Sequence, residues 1–291
     1  LNLRTTHVFT ARGCPYCCHY CAGPLMGRNK VRFNSPKRVL NEIEELIGRY
    51  NIEAVYFEED MFLSDKRRAN EILELFIKKG VNKKIVWMAQ LSAKIVTPEL
   101  LHLMKKAGCV HVEYGFESGS QRVLDLMNKK STTAQNTQAA RLTRQAGLHF
   151  QGNFIVGYPG EREEDFSQTI SFIKTVRPNQ VSVNMFMPLP GTYAYTRLKK
   201  EGKLLPGWDD IGNQEASQLN YADMPKERFE ELYLKARLFV IIPMNFRSFF
   251  LSNLFHPARL AYVICTQSGG LLIKFFRALK KLFVLQKTRS S

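Results

Sequence analysis

The chain has 291 residues, of which 45% are hydrophobic, enough for one large barrel or two ordinary domains around a sizeable core. No apolar run approaches the ~20 residues of a membrane-spanning helix, and the start of the chain lacks the apolar run of a secretory signal. Because the chain lacks an initiator methionine, we expect it to begin inside a longer polypeptide. The net charge of +16 indicates an acidic partner or surface.

Six apolar stretches alternate with helical patterns along the first 200 residues. The predicted strands span residues 7–11, 54–57, 85–89, 111–115, 154–156 and 181–186. Alternation of strand and helix implies a parallel sheet with right-handed crossovers, and therefore an α/β fold. The strands look like continuous apolar runs, which predicts that both of their faces are covered.

The alternation stops after Met224, and the end of the chain has a different composition. Residues 225–240 are predicted to form an amphipathic helix, whereas residues 246–255 and 271–285 mix aromatic or aliphatic side chains with Lys and Arg. No acidic residue follows Glu231, so we expect the positive charge to belong to this tail and not to the cysteine region. The tail is expected to cap the barrel or to dock on an anionic membrane surface, and nucleic-acid binding is less favoured.

Four of the six cysteines lie within eight residues, directly after the first predicted strand. Close neighbours in sequence do not easily reach disulfide geometry, so the crowding indicates a metal centre. In one arrangement Cys14, Cys18 and Cys21 bind three irons of a cubane cluster and leave the fourth iron open. In the other, Cys17 completes a four-thiolate zinc site with those three.

Polar or Gly/Pro-rich stretches follow several of the predicted strands. The cysteines follow the first strand, Glu58-Glu59-Asp60 the second, Glu117-Ser118 the fourth, and residues 157–161 the fifth. Barrels of parallel strands place their active sites at the carboxyl ends of the strands. The sequence therefore predicts that these stretches meet in one site.

The spacing Cys14-x3-Cys18-x2-Cys21, with Tyr20 before the last cysteine, resembles the signature of the radical S-adenosylmethionine (SAM) superfamily. The framing residues 9–15 resemble the subgroup that includes cobalamin-binding radical SAM enzymes and tRNA methylthiotransferases. The resemblance covers residues 5–202 and implies a partial (β/α)6 TIM-type barrel at residues 1–202, followed by a basic, mostly helical extension at 203–291. It also implies that the three cysteines hold a [4Fe-4S] cluster whose open iron binds SAM.

The same resemblance implies roles for the residues at the strand ends. A carboxylate after the second strand would contact the SAM amine, and Glu59 is preferred although the family pattern Gly-Gly-Glu is not kept. Glu117 and Ser118 would contact the ribose, while Tyr20 and the fifth strand would lie along the adenine. The predicted SAM-binding residues are Tyr20, Glu59, Glu117, Ser118, Asn153, Ile155, Val156 and Gly157.

The implied activity is reductive cleavage of SAM to a 5′-deoxyadenosyl radical, used for radical methylation or rearrangement of a lipid or another small natural product. An electron donor such as flavodoxin or ferredoxin is expected, with a cytoplasmic location and peripheral contact at the inner membrane face. Cobalamin is expected only through a domain not in this chain, because the Asp-x-His-x2-Gly motif is absent. A tRNA-modifying methylthiotransferase and a non-enzymatic, zinc-stabilised RNA-binding module are the alternatives.

Overall fold

A parallel sheet of six strands is the centre of the computed structural model, which describes residues 3–27, 30–59, 62, 64–204 and 220–245. The strands, numbered along the chain, are β1 (Thr5–Val8), β2 (Ala11–Arg12), β3 (Arg32–Phe33), β4 (Ala54–Phe57), β5 (Val86–Leu91), β6 (Cys109–Glu117), β7 (His149–Val156) and β8 (Gln180–Met185). The sheet order is β1-β4-β5-β6-β7-β8, every pair is parallel, and β2 and β3 form a separate antiparallel ribbon. The predicted α/β architecture of six strand–helix units is confirmed.

Helices lie between the strands of the sheet and after the last strand, and one short helix lies between β2 and β3. They are α1 (Gly23–Gly27), α2 (Pro36–Tyr50), α3 (Lys66–Lys78), α4 (Pro98–Lys106), α5 (Gln121–Leu126), α6 (Thr133–Gln145), α7 (Glu163–Val176), α8 (Tyr193–Lys200) and α9 (Lys226–Ala236). Side-chain oxygens of Ser35, Asp65, Thr97 and Thr132 each accept a hydrogen bond from a backbone N–H three residues on, which fixes the starts of four helices.

The first strand is shorter than the sequence predicts. Instead of continuing through residues 9–11, β1 ends at Val8, and Ala11 pairs with Phe33 in the β2–β3 ribbon. The reason lies at Thr10, whose backbone N–H donates to the Glu59 carboxylate and not to a neighbouring strand. The chain therefore leaves the sheet before it reaches the cysteines.

The expectation of strands covered on both faces is wrong. In β5 and β7, buried residues alternate with half-buried ones, so that only the face against the helices is closed. Polar side chains occupy the other face, among them Gln90, Glu113 and Asn153. A six-stranded sheet does not close on itself, and its inner face stays open enough to keep polar groups hydrated.

The predicted amphipathic helix is present as α9, followed by a π-helical turn at Arg237–Ile241. Just beyond this turn, Asn245 accepts a hydrogen bond from the Val181 N–H at 2.8 Å and donates one to the Val181 carbonyl at 2.9 Å. The segment thus satisfies backbone groups of the edge strand β8. Residues 246–291, with their predicted basic helices, lie outside the described residues. Within the described part of the chain, no helix has both the length and the apolarity to cross a bilayer.

Candidate active site

A cavity of about 240 Å³ lies where the carboxyl ends of β5, β6 and β7 face the loop of residues 13–22, here called the cysteine loop. It brings together six of the residues that the sequence predicts for the site. These are Cys14, Cys18, Tyr20, Cys21, Glu117 and Asn153. The predicted convergence of the strand ends on one site is therefore present for this subset.

The cysteine loop is held in place by neighbouring backbone. The His19 N–H donates to the Met127 carbonyl at 2.9 Å, beyond the end of α5, and the Ala194 N–H in α8 donates to the His19 carbonyl at 3.0 Å. The His19 ring stacks on Tyr193, with ring centroids 4.0 Å apart. These contacts give His19 a packing role and attach the centre of the loop to the end of the barrel.

Cys17 is set apart from the other three cysteines of the loop. Its side chain is exposed and does not line the cavity, and its carbonyl accepts a hydrogen bond from the Asn128 side-chain amide at 2.8 Å. This placement favours the three-cysteine arrangement over the four-thiolate zinc arrangement. Within the described residues, no three His, Cys, Asp or Glu side chains stand close enough to hold a single metal ion, and the cysteines of a cubane cluster need not do so because each binds a different iron.

Glu117 reaches the cavity because β6 is irregular at its end. The register with β7 shifts between Gly115 and Glu117, and Glu117 adopts the left-handed φ of +62°. Such a conformation costs a non-glycine residue of the order of 1 kcal/mol or more. The bulge re-aims the carboxylate, which lies buried against the cavity wall.

Lys129 is the main site residue that the sequence analysis missed. Its ammonium donates to Glu117 Oε1 at 2.8 Å and to the Tyr20 hydroxyl at 3.3 Å, on the wall of the cavity that holds the cysteines. Burial by itself lowers the pKa of this ammonium, but the negative charges of Glu117 and of the Cys18 and Cys21 thiolates together raise it above its usual value. In the sequence, Lys129 lies in the break between two predicted helices. That position alone did not indicate that its side chain lies near the cysteines.

The charge of Lys129 matters for the cysteines. Burial raises the pKa of the Cys18 thiol, and the nearby ammonium opposes that rise. Because a metal binds the thiolate and not the thiol, a half-buried cation beside the sulfurs favours the ligand form. Three thiols, an aromatic ring and a cation–carboxylate pair form a donor set that fits a cluster held by cysteine thiolates.

Glu59 does not line the cavity. Its carboxylate is buried and accepts from both the N–H and the hydroxyl of Thr10, at 2.8 and 2.5 Å. From the other side, Arg68 donates to the Thr10 carbonyl at 2.7 Å. Burial raises the pKa of Glu59, against the lowering effect of these partners. The structure thus shows Glu59 fixing the exit of β1, and its contact with the SAM amine stays a prediction. Asp60 lies outside the described residues.

Ser118 also lies away from the cavity wall. It is fully buried, with its hydroxyl oxygen 3.0 Å from that of Thr169 in α7 and accepting from the Ser120 N–H. The neighbouring Gly119 has no room for a side chain, because an added Cβ would lie 2.7 Å from the Thr169 Cα. Ser118 therefore connects the end of β6 to α7, and its predicted ribose contact stays a prediction.

The end of β7 contributes packing and backbone geometry. Ile155 packs in the group that contains Tyr20, whereas Val156 is buried in another group with Phe166. Gly157 has a φ of +78°, and its N–H donates to the Glu161 carboxylate at 2.5 Å. These three residues do not line the cavity, and their predicted contacts with adenine stay predictions.

Glu161 is a buried carboxyl group directly behind this turn. Its Oε2 accepts from the N–H groups of Gly157 and Tyr158, and its Oε1 has no hydrogen-bond partner among the described residues. Burial raises the pKa of Glu161, and the two backbone N–H groups lower it. The effect of burial is larger, so the pKa rises from 4.5 to about 8. The sequence analysis gave this residue no role of its own.

The inner face of the sheet supplies polar residues that the sequence analysis did not single out. Gln90 and Glu113 line the cavity, and Asn153 donates weakly to Glu113 at 3.4 Å while accepting from Gln151 at 2.7 Å. The available signal was a polar residue at alternate positions of otherwise apolar strands. Treating these strands as continuous apolar runs hid that signal.

Comparisons with known proteins agree with this geometry. The family model described as the Radical SAM superfamily matches residues 8–173, more than half of the chain. An uncharacterized methyltransferase of Pyrococcus horikoshii is 33% identical over 185 residues, which are 64% of this chain and 40% of that protein. The anaerobic magnesium-protoporphyrin IX monomethyl ester cyclase of Cereibacter sphaeroides is 30% identical over 203 residues, 69% of this chain and 33% of that protein. The chain thus spans about a third to two fifths of the length of these relatives.

The fold is also similar to solved structures. The radical S-adenosylmethionine methyltransferase TsrM from Kitasatospora setae, solved with cobalamin and a [4Fe-4S] cluster bound, superposes with a TM-score of 0.64 at 17% identity. The match covers 70% of this chain and 38% of TsrM. At this identity the similarity concerns the barrel fold and not the substrate.

Lys129→Met tests the ion pair between the half-buried Lys129 and the buried Glu117 at the cavity. Without the ammonium, the Glu117 carboxylate is left buried and unpaired, so we expect the free energy of unfolding to fall by about 3 kcal/mol in urea titrations. The double variant Glu117→Gln, Lys129→Met should recover at least about 1 kcal/mol of that loss. Lys130→Met, at an exposed neighbour, should change the stability by less than about 0.5 kcal/mol. Purely additive effects would contradict the pairing.

Glu161→Gln tests the buried carboxyl group through pH. Between pH 4.5 and about 8 the folded chain retains the Glu161 proton while the unfolded chain releases it, so this group makes the native state less stable as the pH rises. Glutamine keeps an oxygen for the two N–H groups but has no proton to lose. The stability of Glu161→Gln relative to the native sequence should therefore increase across this range in urea unfolding. Glu164→Gln, at an exposed residue, is the control; a pH-independent difference for Glu161→Gln would contradict the assignment.

Proposed function

The chain belongs to the radical SAM superfamily, and from this premise we propose that Cys14, Cys18 and Cys21 hold the [4Fe-4S] cluster that enzymes of this superfamily use with SAM. The observation that carries the proposal is the separation of the four clustered cysteines. Three line one cavity, and Cys17 is exposed outside it. Three thiolates leave one iron of a cubane without a protein ligand, and catalytic metal centres keep such an open position.

When bound by Cys14, Cys18 and Cys21, the cluster would supply the electron for reductive cleavage of SAM, the source of the 5′-deoxyadenosyl radical in this superfamily. The protein's part is to hold the cofactors and to keep water from them. We assign Lys129 to charge compensation, because its ammonium lies on the cavity wall with the thiols. Glu117 is available on the same wall to accept hydrogen bonds from ribose hydroxyls.

Substrate would enter from the inner face of the sheet, where the half-buried polar side chains of Gln90, Glu113 and Asn153 line the same cavity as the cysteines. The names of the two relatives include a methyltransferase and a cyclase, which supports radical methylation or rearrangement of a small molecule, including a lipid. If the whole protein uses cobalamin, we expect a domain outside this chain to bind it. Membrane contact through residues 246–291 stays a prediction.

The two alternatives differ in what they require. A non-enzymatic, zinc-stabilised module is not supported, because the chain belongs to an enzyme superfamily and Cys17 does not share the cavity. A methylthiotransferase acting on tRNA would use the same cluster and SAM site. It predicts that turnover depends on tRNA, and this dependence distinguishes it from a small-molecule methylase.

Single alanine variants of the cysteines test the proposal. After anaerobic reconstitution, Cys14→Ala, Cys18→Ala and Cys21→Ala should each lose the cluster absorption and release no 5′-deoxyadenosine from SAM above background with dithionite as reductant. Cys17→Ala is the matched control, from the same loop, and should retain both properties. A Cys17→Ala variant that loses the cluster, or a native protein that binds one zinc per chain and cleaves no SAM, would overturn the proposal.

A further inference from the structure

A group of cations with exposed aromatic side chains lies beside the cysteine loop. We define the cationic ribbon as Arg12, Lys30 and Arg32, together with Phe9 and Phe33. The three basic residues are exposed, and the two phenylalanines are 47% and 41% exposed. The Arg12 guanidinium lies over the Phe9 ring, 6.0 Å from its centroid.

The positive charge of the chain is not confined to the tail, as the sequence analysis expected, because the region of the ribbon is also basic. The first 41 residues contain seven Lys or Arg and no Asp or Glu, and residues 42–231 have a net charge of −1. The excess is therefore concentrated at both ends of the chain. Of the carboxylates that contact this region, Glu59 is buried against Thr10, and Asp65 caps α3.

The arrangement of the ribbon is unfavourable for the isolated chain. Arg12 and Arg32 are direct partners in the antiparallel β2–β3 pair, where like charges opposite one another are destabilising. None of the ion pairs found among the described residues includes Arg12, Lys30 or Arg32. An acidic partner would relieve this repulsion, which is the electrostatic complementarity typical of protein interfaces.

The ribbon is close to the proposed cluster. Arg12 precedes Cys14 by two residues, so their Cα atoms are at most about 7 Å apart. Gly13, with a φ of +101°, packs so tightly on the ribbon that an added Cβ would lie 2.2 Å from the Lys30 carbonyl oxygen. None of the ribbon residues lines the cavity, so a protein seated on the ribbon would approach the cysteine loop without occupying the space where we place the substrate.

We propose that the cationic ribbon is the docking surface for a small acidic electron-transfer protein that delivers the electron for SAM cleavage. This inference rests on the proposed function, since it assumes a cluster on the cysteine loop. The donor's reduced cofactor would lose one electron to a cluster held by the cysteine loop, and that electron would break one C–S bond of SAM to give methionine and the 5′-deoxyadenosyl radical. Exposed arginines and aromatic rings around a positive patch suit a small, weak, electrostatically steered interface of the kind used in electron transfer.

Direct binding to flavodoxin, an acidic flavoprotein, tests the surface without turnover. Fluorescence anisotropy of labelled, oxidised flavodoxin is measured against the reconstituted protein without SAM, at about 50 mM and about 300 mM salt. The triple variant Arg12→Glu, Lys30→Glu, Arg32→Glu should bind about 10-fold more weakly than the native chain at low salt and should lose most of the salt dependence. The control Lys83→Glu, Lys84→Glu, Lys106→Glu has the same change of charge at the amino ends of the strands and should stay within about twofold.

A second readout separates this inference from the proposed function. With reduced flavodoxin as donor, release of 5′-deoxyadenosine by the triple variant should fall in parallel with binding, whereas with dithionite it should match the native protein. If the native protein releases no 5′-deoxyadenosine from SAM with dithionite, the proposed function fails. The anisotropy experiment still tests whether the ribbon binds flavodoxin. If the triple variant does not fold, Arg12→Gln, Arg32→Gln should show a smaller loss in the same direction.

Three outcomes would overturn the docking proposal. The triple variant could bind flavodoxin as tightly as the native protein. The control could lose as much affinity as the triple variant, which would show that only the net charge of the protein matters and not the position of the three residues. Finally, the native protein could show no binding to flavodoxin but bind phosphatidylserine vesicles through the same three residues, which would make the ribbon a lipid-binding surface.

Discussion

The structure depends on the way a short loop is held at the carboxyl end of the sheet. Residues 13–22 are held by hydrogen bonds to the barrel and by the packing of His19 on Tyr193 and of Tyr20 beside Ile155. Glu59 and Arg68 bind opposite sides of the Thr10 backbone and set the point where β1 ends. Met127 and Ala194 then hold the backbone of His19. Three cysteines of the loop face the cavity as a result, and Cys17 does not.

This support explains how a parallel sheet can carry reactive chemistry. The barrel supplies rigid strand ends, and irregular features at those ends aim the polar groups. Glu117 is directed by a bulge and a left-handed backbone, and its carboxylate pairs with the half-buried Lys129. The same ammonium lies beside the cysteine sulfurs, where it opposes the effect of burial on Cys18. Metal ligation and SAM binding are thus coupled, in our proposal, through the ion pair of Glu117 and Lys129.

The sequence predicted the strand–helix order and the loop because both are local patterns. Apolar runs, helix caps such as Ser35 and Thr132, and the cysteine spacing can each be recognised within a few residues. The contacts of Glu59 and Ser118 could not be predicted in this way. Both side chains bind groups about 50 residues away, at Thr10 and Thr169, so position after a strand did not reveal which carboxylate or hydroxyl faces the cavity. Lys129 was missed for the same reason, whereas Gln90 and Glu113 carried an alternating signal that the assumption of covered strands obscured.

The central claim is that three cysteines hold the cluster and leave one iron for SAM. It is tested most directly by electron–nuclear double resonance on the reduced, reconstituted protein, with SAM isotopically labelled at the amino nitrogen and the carboxylate. The account predicts resolved hyperfine coupling from both labels to the cluster, in the native chain and in Cys17→Ala alike. A cluster that shows no coupling to SAM, with every iron bound by cysteine, would contradict it.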